Sequence, residues 1–233
     1  MEYHWQWYRV PQYFLFHVDG KWLAGPLIDG LLVTLEITGI SFILAFSFGF
    51  ISALGRLSDS YVARMMARVY LELIRNTPLL VQLFFIYFVI SPILDLGRFT
   101  SAVLALSLFE GAYASEVFRA GIVSIHKGQW EAAHSLGLGT FDTYRWIILP
   151  QAIRRILPAL TGQAVSLVKD SALVSTIAVY DLTMRGREII SETFLAFEIW
   201  FTIAAIYLVL TVSFSIAVGR IERQLREKGY QVG

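Results

Sequence analysis

Residues 199–219 read IWFTIAAIYLVLTVSFSIAVG, a run without a single Asp, Glu, Lys, Arg or His. At 1.5 Å of rise per residue, a helix over this run is about 30 Å long, the thickness of a bilayer's hydrocarbon core. Two further charge-free runs of similar length, Ile37–Gly55 and Asn76–Leu94, lie upstream. Phe99–Val123 and Ile156–Tyr180 are long enough as well, but the first contains Glu110 and Glu116 and the second Lys169 and Asp170. An unpaired charge at mid-bilayer costs several kcal/mol, so these two cross only if the charges face protein or water. The reading is an all-α polytopic membrane protein with five transmembrane helices, at about 31–55, 76–95, 99–123, 156–180 and 196–219. Residues 28–220 form a single transmembrane domain, preceded by an external segment (1–27) and followed by a cytosolic tail (221–233).

Composition agrees. Hydrophobic residues make up 56% of the 233 and charged residues only 16%, against about 25% charged in soluble domains. With no cysteine, disulfide frameworks, Fe–S clusters and Cys-ligated zinc are excluded. A net charge of +1 gives no reason to expect a nucleic-acid partner; what matters is where the basic residues sit. With five spans, one set of loops holds Arg56, Arg64, Arg68, Arg75, Arg119, Lys127, Arg145, Arg154, Arg155, Arg220, Arg223, Arg226 and Lys228. The other holds Arg9, Lys21, Arg98, Arg185 and Arg187. The richer set belongs in the cytosol, which puts the N-terminus outside and the C-terminus inside. The first 27 residues lack a basic n-region and a small-residue cleavage site, so a cleaved leader is not expected. Their aromatics, among them Tyr3, Trp5, Trp7, Tyr8 and Trp22, suit a segment lying at headgroup level.

Enzymatic motifs are missing from the sequence. The four histidines, His4, His17, His126 and His134, make no H-E-x-x-H helix, and Gly20-Lys21 is followed by Trp22 rather than by the Ser or Thr of a phosphate-binding loop. No Ser occupies a G-x-S-x-G elbow. The expectation is no catalytic residue, no metal ligand and no bound cofactor, so that any ATP is bound by a partner subunit.

The cytosolic loop between the third and fourth spans is where such a partner would act. Glu131-Ala132-Ala133 is followed by Gly137 after three residues, and by Ile147, Leu149 and Pro150 after nine more. Seven matches to E-A-A-x3-G-x9-I-x-L-P have a chance probability of roughly 10⁻⁸ per start position, from average residue usage. The loop over 131–150 reads as helix, break, helix. Ala132, Ala133 and Leu136 give a small apolar stripe, Gly137 and Gly139 permit a reversal, and Thr140 caps a second helix running through Trp146. Pro150 then ends that segment at the membrane entrance. By spacing alone the loop fits equally well an amphipathic helix lying on the bilayer.

On these residues the sequence resembles the permease subunits of bacterial ATP-binding cassette importers, whose E-A-A loop is the coupling helix received by the ATPase. More narrowly it resembles the polar amino-acid uptake branch (histidine, glutamate, glutamine and arginine type). The likeness rests on Arg75-Asn76-Thr77-Pro78-Leu79-Leu80-Val81-Gln82 opening span two, and on Tyr113, Glu116, Arg119, Gly121 and Gly128-Gln129. It continues through Lys169-Asp170-Ser171-Ala172-Leu173 and covers about Gly30 to Arg220. The resemblance implies the bacterial inner membrane, a second permease chain (identical or related), a cytosolic ATP-binding subunit dimer and a periplasmic amino-acid-binding protein.

A zwitterionic solute needs a carboxylate near its ammonium and a cation or helix N-terminus near its carboxylate. Glu110, Gln163, Ser166, Lys169 and Asp170 are the candidate pathway residues; Gln163 and Ser166 lie seven and four positions before Asp170, on one helix face. Glutamate, aspartate or glutamine is the solute such a set favours. The same charges fit a buried structural pair of Glu110 with Lys169. They also fit a self-sufficient ion- or proton-coupled transporter or channel using Glu110, Lys169 and Asp170. Elsewhere, Glu116 and Arg119 are spaced for an ion pair within one helix. Pro78 suits a first helical turn capped by Asn76 or Thr77.

Overall fold

The computed structural model describes residues 3–18 and 20–230, and the side chains of these apart from Val18 and residues 221–230. Of the tail expected over 221–233, residues 231–233 lie outside the described residues. The chain is mostly helical, and its helices group into two compact units.

The first unit comprises the residues up to Ser41, Leu79–Leu106 and Leu167–Ser213. Two short 3-10 turns, Trp7–Arg9 and Pro11–Tyr13, lead into a hairpin of β1 (Leu15–Val18) and β2 (Lys21–Ala24), in which Leu15 opposes Ala24. The headgroup segment read from aromatics alone thus contains a strand pair. Helix α1 (Pro26–Leu57) begins here. Helices α3 (Leu79–Phe85) and α4 (Ser91–Leu94) are joined by one wide π-type turn. Helix α5 (Arg98–Val123) starts in this unit, and α9 (Leu182–Thr193) and the beginning of α10 (Ala196–Tyr230) complete it. Leu27, Leu182, Ile189, Leu195, Ile199 and Ile203 form its core. Gly30 lets α1 approach the start of α9, where an added Cβ would lie 2.9 Å from the Asp181 carbonyl oxygen. The Thr34 hydroxyl meets the Leu182 amide there at 3.1 Å.

The second unit comprises Phe42–Pro78, Ser107–Ser166 and the chain from Phe214. Small residues bring its helices together. Beside Ala45 and Ala53 of α1, Gly49 packs so closely on α5 that a Cβ there would lie 2.8 Å from that of Ala114. Helix α2 (Tyr61–Arg75) returns along this pair, its N-terminus capped by Ser60 and its Tyr70 hydroxyl donating to the Leu108 carbonyl at 2.6 Å. Then come α6 (Lys127–Ser135), α7 (Thr140–Asp142), a π-type stretch (Thr143–Ile148) and α8 (Leu149–Asp170).

Among the described residues, α1 and the Ala196–Arg220 part of α10 are each long and apolar enough to cross a bilayer. Helix α2 and the α3–α4 segment qualify together as one interrupted pair. Two expectations need correction. Asn76 does not cap a following helix: its Nδ2 donates to the Glu72 carbonyl at 2.7 Å, and the Thr77 hydroxyl donates to the Leu73 carbonyl at 2.8 Å, both at the C-terminus of α2. The run expected over 156–180 starts at Leu149 and leaves α geometry after Asp170. Ser171–Ile177 is a 3-10 helix whose Ser171, Ser175 and Thr176 hydroxyls bond carbonyls three residues back, and Ala178 ends it in the left-handed region at φ 56°.

Candidate coupling surface and polar sites

The E-A-A segment folds as helix, reversal, helix, as its sequence requires. His126 caps α6, its ring nitrogen accepting the Gly128 amide at 3.1 Å. Leu136 closes α6, and Gly137 takes φ +74°. The Gly137 amide bonds the His134 carbonyl at 2.9 Å and the Leu138 amide the Ala133 carbonyl at 3.1 Å. These are the two bonds of a Schellman motif, which satisfies carbonyls the helix end would otherwise leave unpaired. The second helix differs from expectation. Gly139, not Thr140, is the cap residue, and Thr140 is the first helical position. Pro150 ends nothing: the helical backbone runs from the π-type stretch through Leu149 and Pro150 into α8 without a break.

This loop is anchored on one side and open on the other. Ile122, Ile125, Ile148 and Ala152 form a buried cluster against which Trp130, Tyr144, Ile147 and Leu149 pack. Trp130 and Tyr144 meet edge to face at 5.2 Å. Gln151 Nε2 donates to Gln129 Oε1 at 3.1 Å, and Arg155 donates to the Ser124 carbonyl and, at 3.2 Å, its hydroxyl. Burial and, second, the Asp59 carboxylate raise the Tyr144 phenol above its ordinary pKa. Ala133 is buried beneath α6, whereas Ala132, Glu131 and Pro150 are exposed. Glu131 pairs with Lys127 at 3.2 Å on that open face. Leu136, Phe141 and Trp146 are 78%, 71% and 63% exposed, an apolar crest of the kind that marks a protein contact. Arg145 lies 4.9 Å above the Trp146 ring, holding it in place by cation–π attraction.

The candidate pathway residues divide between the two units. Glu110 is almost fully buried in α5, and Gln163 and Ser166 are half-buried on α8, all in the second unit. Lys169 is exposed and Asp170 half-buried at the C-terminus of α8, in the first. They stand where the α-helix changes to 3-10, a break that the sequence reading did not foresee. Among the described residues, no group of three or more His, Asp or Glu side chains gathers as a metal site.

Sequence reasoning found half of one further polar site. Glu116 and Arg119 pair within α5 at 3.1 Å, as their spacing requires. The same carboxylate also receives Arg56 of α1 at 2.7 Å and Arg75 of α2 at 3.1 Å. Arg75 in turn lies 5.7 Å above the Tyr113 ring. Three helices of the second unit are therefore tied through one acid, and Arg75, read as part of a helix-breaking entrance, belongs to the knot.

The profile of the inner membrane component of binding-protein-dependent transport systems matches residues 45–227. The glutamine transport system permease protein GlnP of Escherichia coli (strain K12) is 39% identical over 215 residues, covering 91% of this chain and 98% of the relative. The L-cystine transport system permease protein TcyB of Bacillus subtilis (strain 168) is 40% identical over 201 residues, covering 85% and 86%. Among solved structures, an amino acid ABC transporter with histidines superposes with a TM-score of 0.78 at 40% identity, over 85% of this chain and 94% of that one. The methionine ABC transporter MetNI in an inward-facing form shares the fold at TM-score 0.73 and 20% identity, over 85% and 95%. On the match to residues 45–227 and on these relatives, the chain belongs to the family of inner membrane components of binding-protein-dependent transport systems.

Proposed function

We propose that this chain is the permease subunit of an importer driven by ATP hydrolysed on a separate subunit, and that it moves a polar amino acid of the glutamine type inward across the bacterial inner membrane. The observation that carries the reading is the E-A-A segment. In a chain related over nine-tenths of its length to a glutamine permease, this segment presents an apolar crest of Leu136, Phe141 and Trp146 while the cluster around Ile148 fixes its base.

In this reading five spans cross the membrane, with α1 and α10 at its ends, the N-terminus outside and the C-terminus in the cytosol. Helix α5 tolerates its charges because Glu110 is shielded within the protein and Glu116 is neutralised by arginines. A cytosolic dimer of ATP-binding subunits grips the crest, a periplasmic binding protein delivers the amino acid, and a second permease chain completes the pathway. Glu110, Gln163, Ser166, Lys169 and Asp170 line it, offering a carboxylate to the ammonium and a cation to the carboxylate of the solute. No cofactor belongs to the chain itself; ATP stays on the partner. The relatives favour this over a self-sufficient ion-coupled transporter.

Reconstitution of the chain with its ATP-binding subunit and binding protein tests the proposal. Glutamine uptake that requires ATP inside the vesicle and is reduced by excess unlabelled glutamate or aspartate is expected. Uptake that persists without the ATPase and follows a pH gradient would overturn it.

A further inference from the structure

Helix α2 is divided around its circumference into three sectors. One is the core face, where Ala67 and Leu71 are buried and the Tyr70 hydroxyl meets the Leu108 carbonyl. Opposite it, Val62, Met65, Met66, Val69 and Leu73 are 65%, 52%, 69%, 47% and 64% exposed. Between the two, Arg64 and Arg68 lie one helical turn apart. Among the described residues, neither of these arginines forms an ion pair. Arg64 Nη1 donates at 2.8 Å to the Ser58 carbonyl, just past the end of α1. Arg68 has an acidic residue at the favourable spacing, Glu72, but that carboxylate is taken by the Asn76 amide at 2.9 Å. A shallow, open groove between side chains runs along this side of the helix, lined by Tyr61, Arg64, Met65, Arg68, Val69, Glu72 and Leu73, all of α2.

We propose that this groove is a binding site for one anionic phospholipid of the cytosolic leaflet. Its occupant is fixed by chemistry at both ends. The formal charge of the groove, two guanidinium groups against the Glu72 carboxylate, is +1, equal and opposite to a phosphodiester headgroup. The wall running from the arginines along Met65, Val69 and Leu73 is apolar and suits an acyl chain. The position also suits a lipid, because Arg64 lies at the end of α1 that carries the cytosolic arginines, where headgroups are anionic and arginine side chains extend to meet them. Arg56, Arg75 and Arg119 around the single Glu116 add to the positive field on the same unit. The inference rests on the cytosolic placement of α2 and goes beyond the transport reading.

The test uses the full chain in nanodiscs of neutral phosphatidylcholine doped with a trace of spin-labelled phosphatidylglycerol or spin-labelled phosphatidylcholine. The wild type is expected to immobilise the anionic probe preferentially, by about fivefold per arginine, the factor equivalent to about 1 kcal/mol at a membrane surface. Arg64→Gln with Arg68→Gln should bring the anionic probe down to the neutral one. Lys127→Gln with Arg154→Gln, which removes the same charge from exposed positions elsewhere, should leave the preference in place. Equal loss in both double variants would show diffuse attraction and overturn the site. Disulfide cross-linking of two chains through Val69→Cys in the membrane would also overturn it, since a second copy would then occupy the groove. The readout is lipid mobility, so it is independent of whether the complex imports glutamine.

Discussion

Arg75, the last residue of α2, reaches the Glu116 carboxylate of α5 across 41 residues of sequence, at 3.1 Å. Because Arg56 and Arg119 share that carboxylate, removing it does more than break three pairs: it leaves three guanidinium groups facing one another. Each pair is partly exposed and is worth at most about 1 kcal/mol alone. Glu116→Gln should therefore destabilise the protein by on the order of 1–3 kcal/mol, and Arg119→Gln by well under 1 kcal/mol, since it removes only the pair within α5. Thermal unfolding in detergent checks this. The Glu116→Gln deficit should also shrink in high salt, which screens the residual repulsion; a melting temperature equal to the wild type would refute the knot.

The N-terminal segment is held by a buried acid. Glu198, fully buried in the first turn of α10, accepts the Gln6 amide at 2.7 Å and the Tyr3 hydroxyl. Around it Trp5 and Trp7 stack at 5.8 Å and meet Phe197 and Phe201. Hydrogen bonds to a charged acceptor contribute about 1.5–3 kcal/mol each, enough to decide whether a short segment stays docked. Glu198→Ala should release residues 3–10 without unfolding α10. Faster amide exchange confined to those residues and red-shifted emission from Trp5 and Trp7 are the expected signs, and unchanged exchange would show that the aromatic contacts suffice.

How much of this was legible beforehand depends on the range of the interaction. Charge-free runs depend on composition alone, and they located α1 and α10. The Gly137 reversal and the Glu116–Arg119 pair depend on neighbours three or four residues away, and both were readable. Asn76 was misread because a residue that can cap either of two adjoining helices carries no local sign of which; the bond to the Glu72 carbonyl decides it. The 3-10 stretch after Asp170 was hidden because apolar content over Ser171–Ile177 is the same in either helix type. The β1–β2 hairpin did leave a signal in the sequence, since an Asp-Gly pair between two short runs is of the type that favours a tight hairpin turn, but the density of aromatics masked it. Arg56 and Arg75 could not be assigned to Glu116, because no periodicity relates residues 60 and 41 positions apart.

Topology is testable directly because the chain has no cysteine. Single cysteines at Trp5, Ser58, Lys127, Glu188 and Lys228 should react with an impermeant maleimide added outside only at Trp5 and Glu188. That pattern follows from the excess of basic residues in the loops carrying Ser58, Lys127 and Lys228. Labelling of Lys127→Cys from outside would invert or reduce the five-span arrangement.

The intramembrane charges distinguish a pathway from a structural pair. If Glu110 and Asp170 line the route, Glu110→Gln and Asp170→Asn should leave the yield of assembled complex near the wild type while uptake falls at least about tenfold, a loss of ~1.4 kcal/mol in transition-state stabilisation. If they only hold helices together, yield falls instead, because a partner charge is left buried and alone. Quantifying complex by size-exclusion chromatography beside uptake separates the outcomes, and wild-type behaviour in both assays would remove these residues from the site.

Gly137 offers the sharpest test of coupling. Its φ of +74° is in the left-handed region, yet an added Cβ would meet nothing within 4 Å, so any substitution acts through the backbone and not through a clash. The left-handed conformation costs an ordinary residue roughly 1–2 kcal/mol, asparagine less and a β-branched residue more. That cost falls on the Schellman bonds from Gly137 and Leu138, which set the direction in which Phe141 and Trp146 leave α6. Uptake by the reconstituted complex should therefore fall in the order Gly137→Asn, Gly137→Ala, Gly137→Val, with the asparagine variant close to wild type and the valine variant down by about tenfold or more. Membrane insertion should be unaffected throughout, since Gly137 is exposed and lies in the loop between α6 and α7. ATP hydrolysis should either fall with uptake, if the ATPase lets go of the loop, or continue without it, if the grip holds but points the wrong way. ATP-driven uptake undiminished in Gly137→Val would show that the direction of this loop does not transmit the energy of hydrolysis.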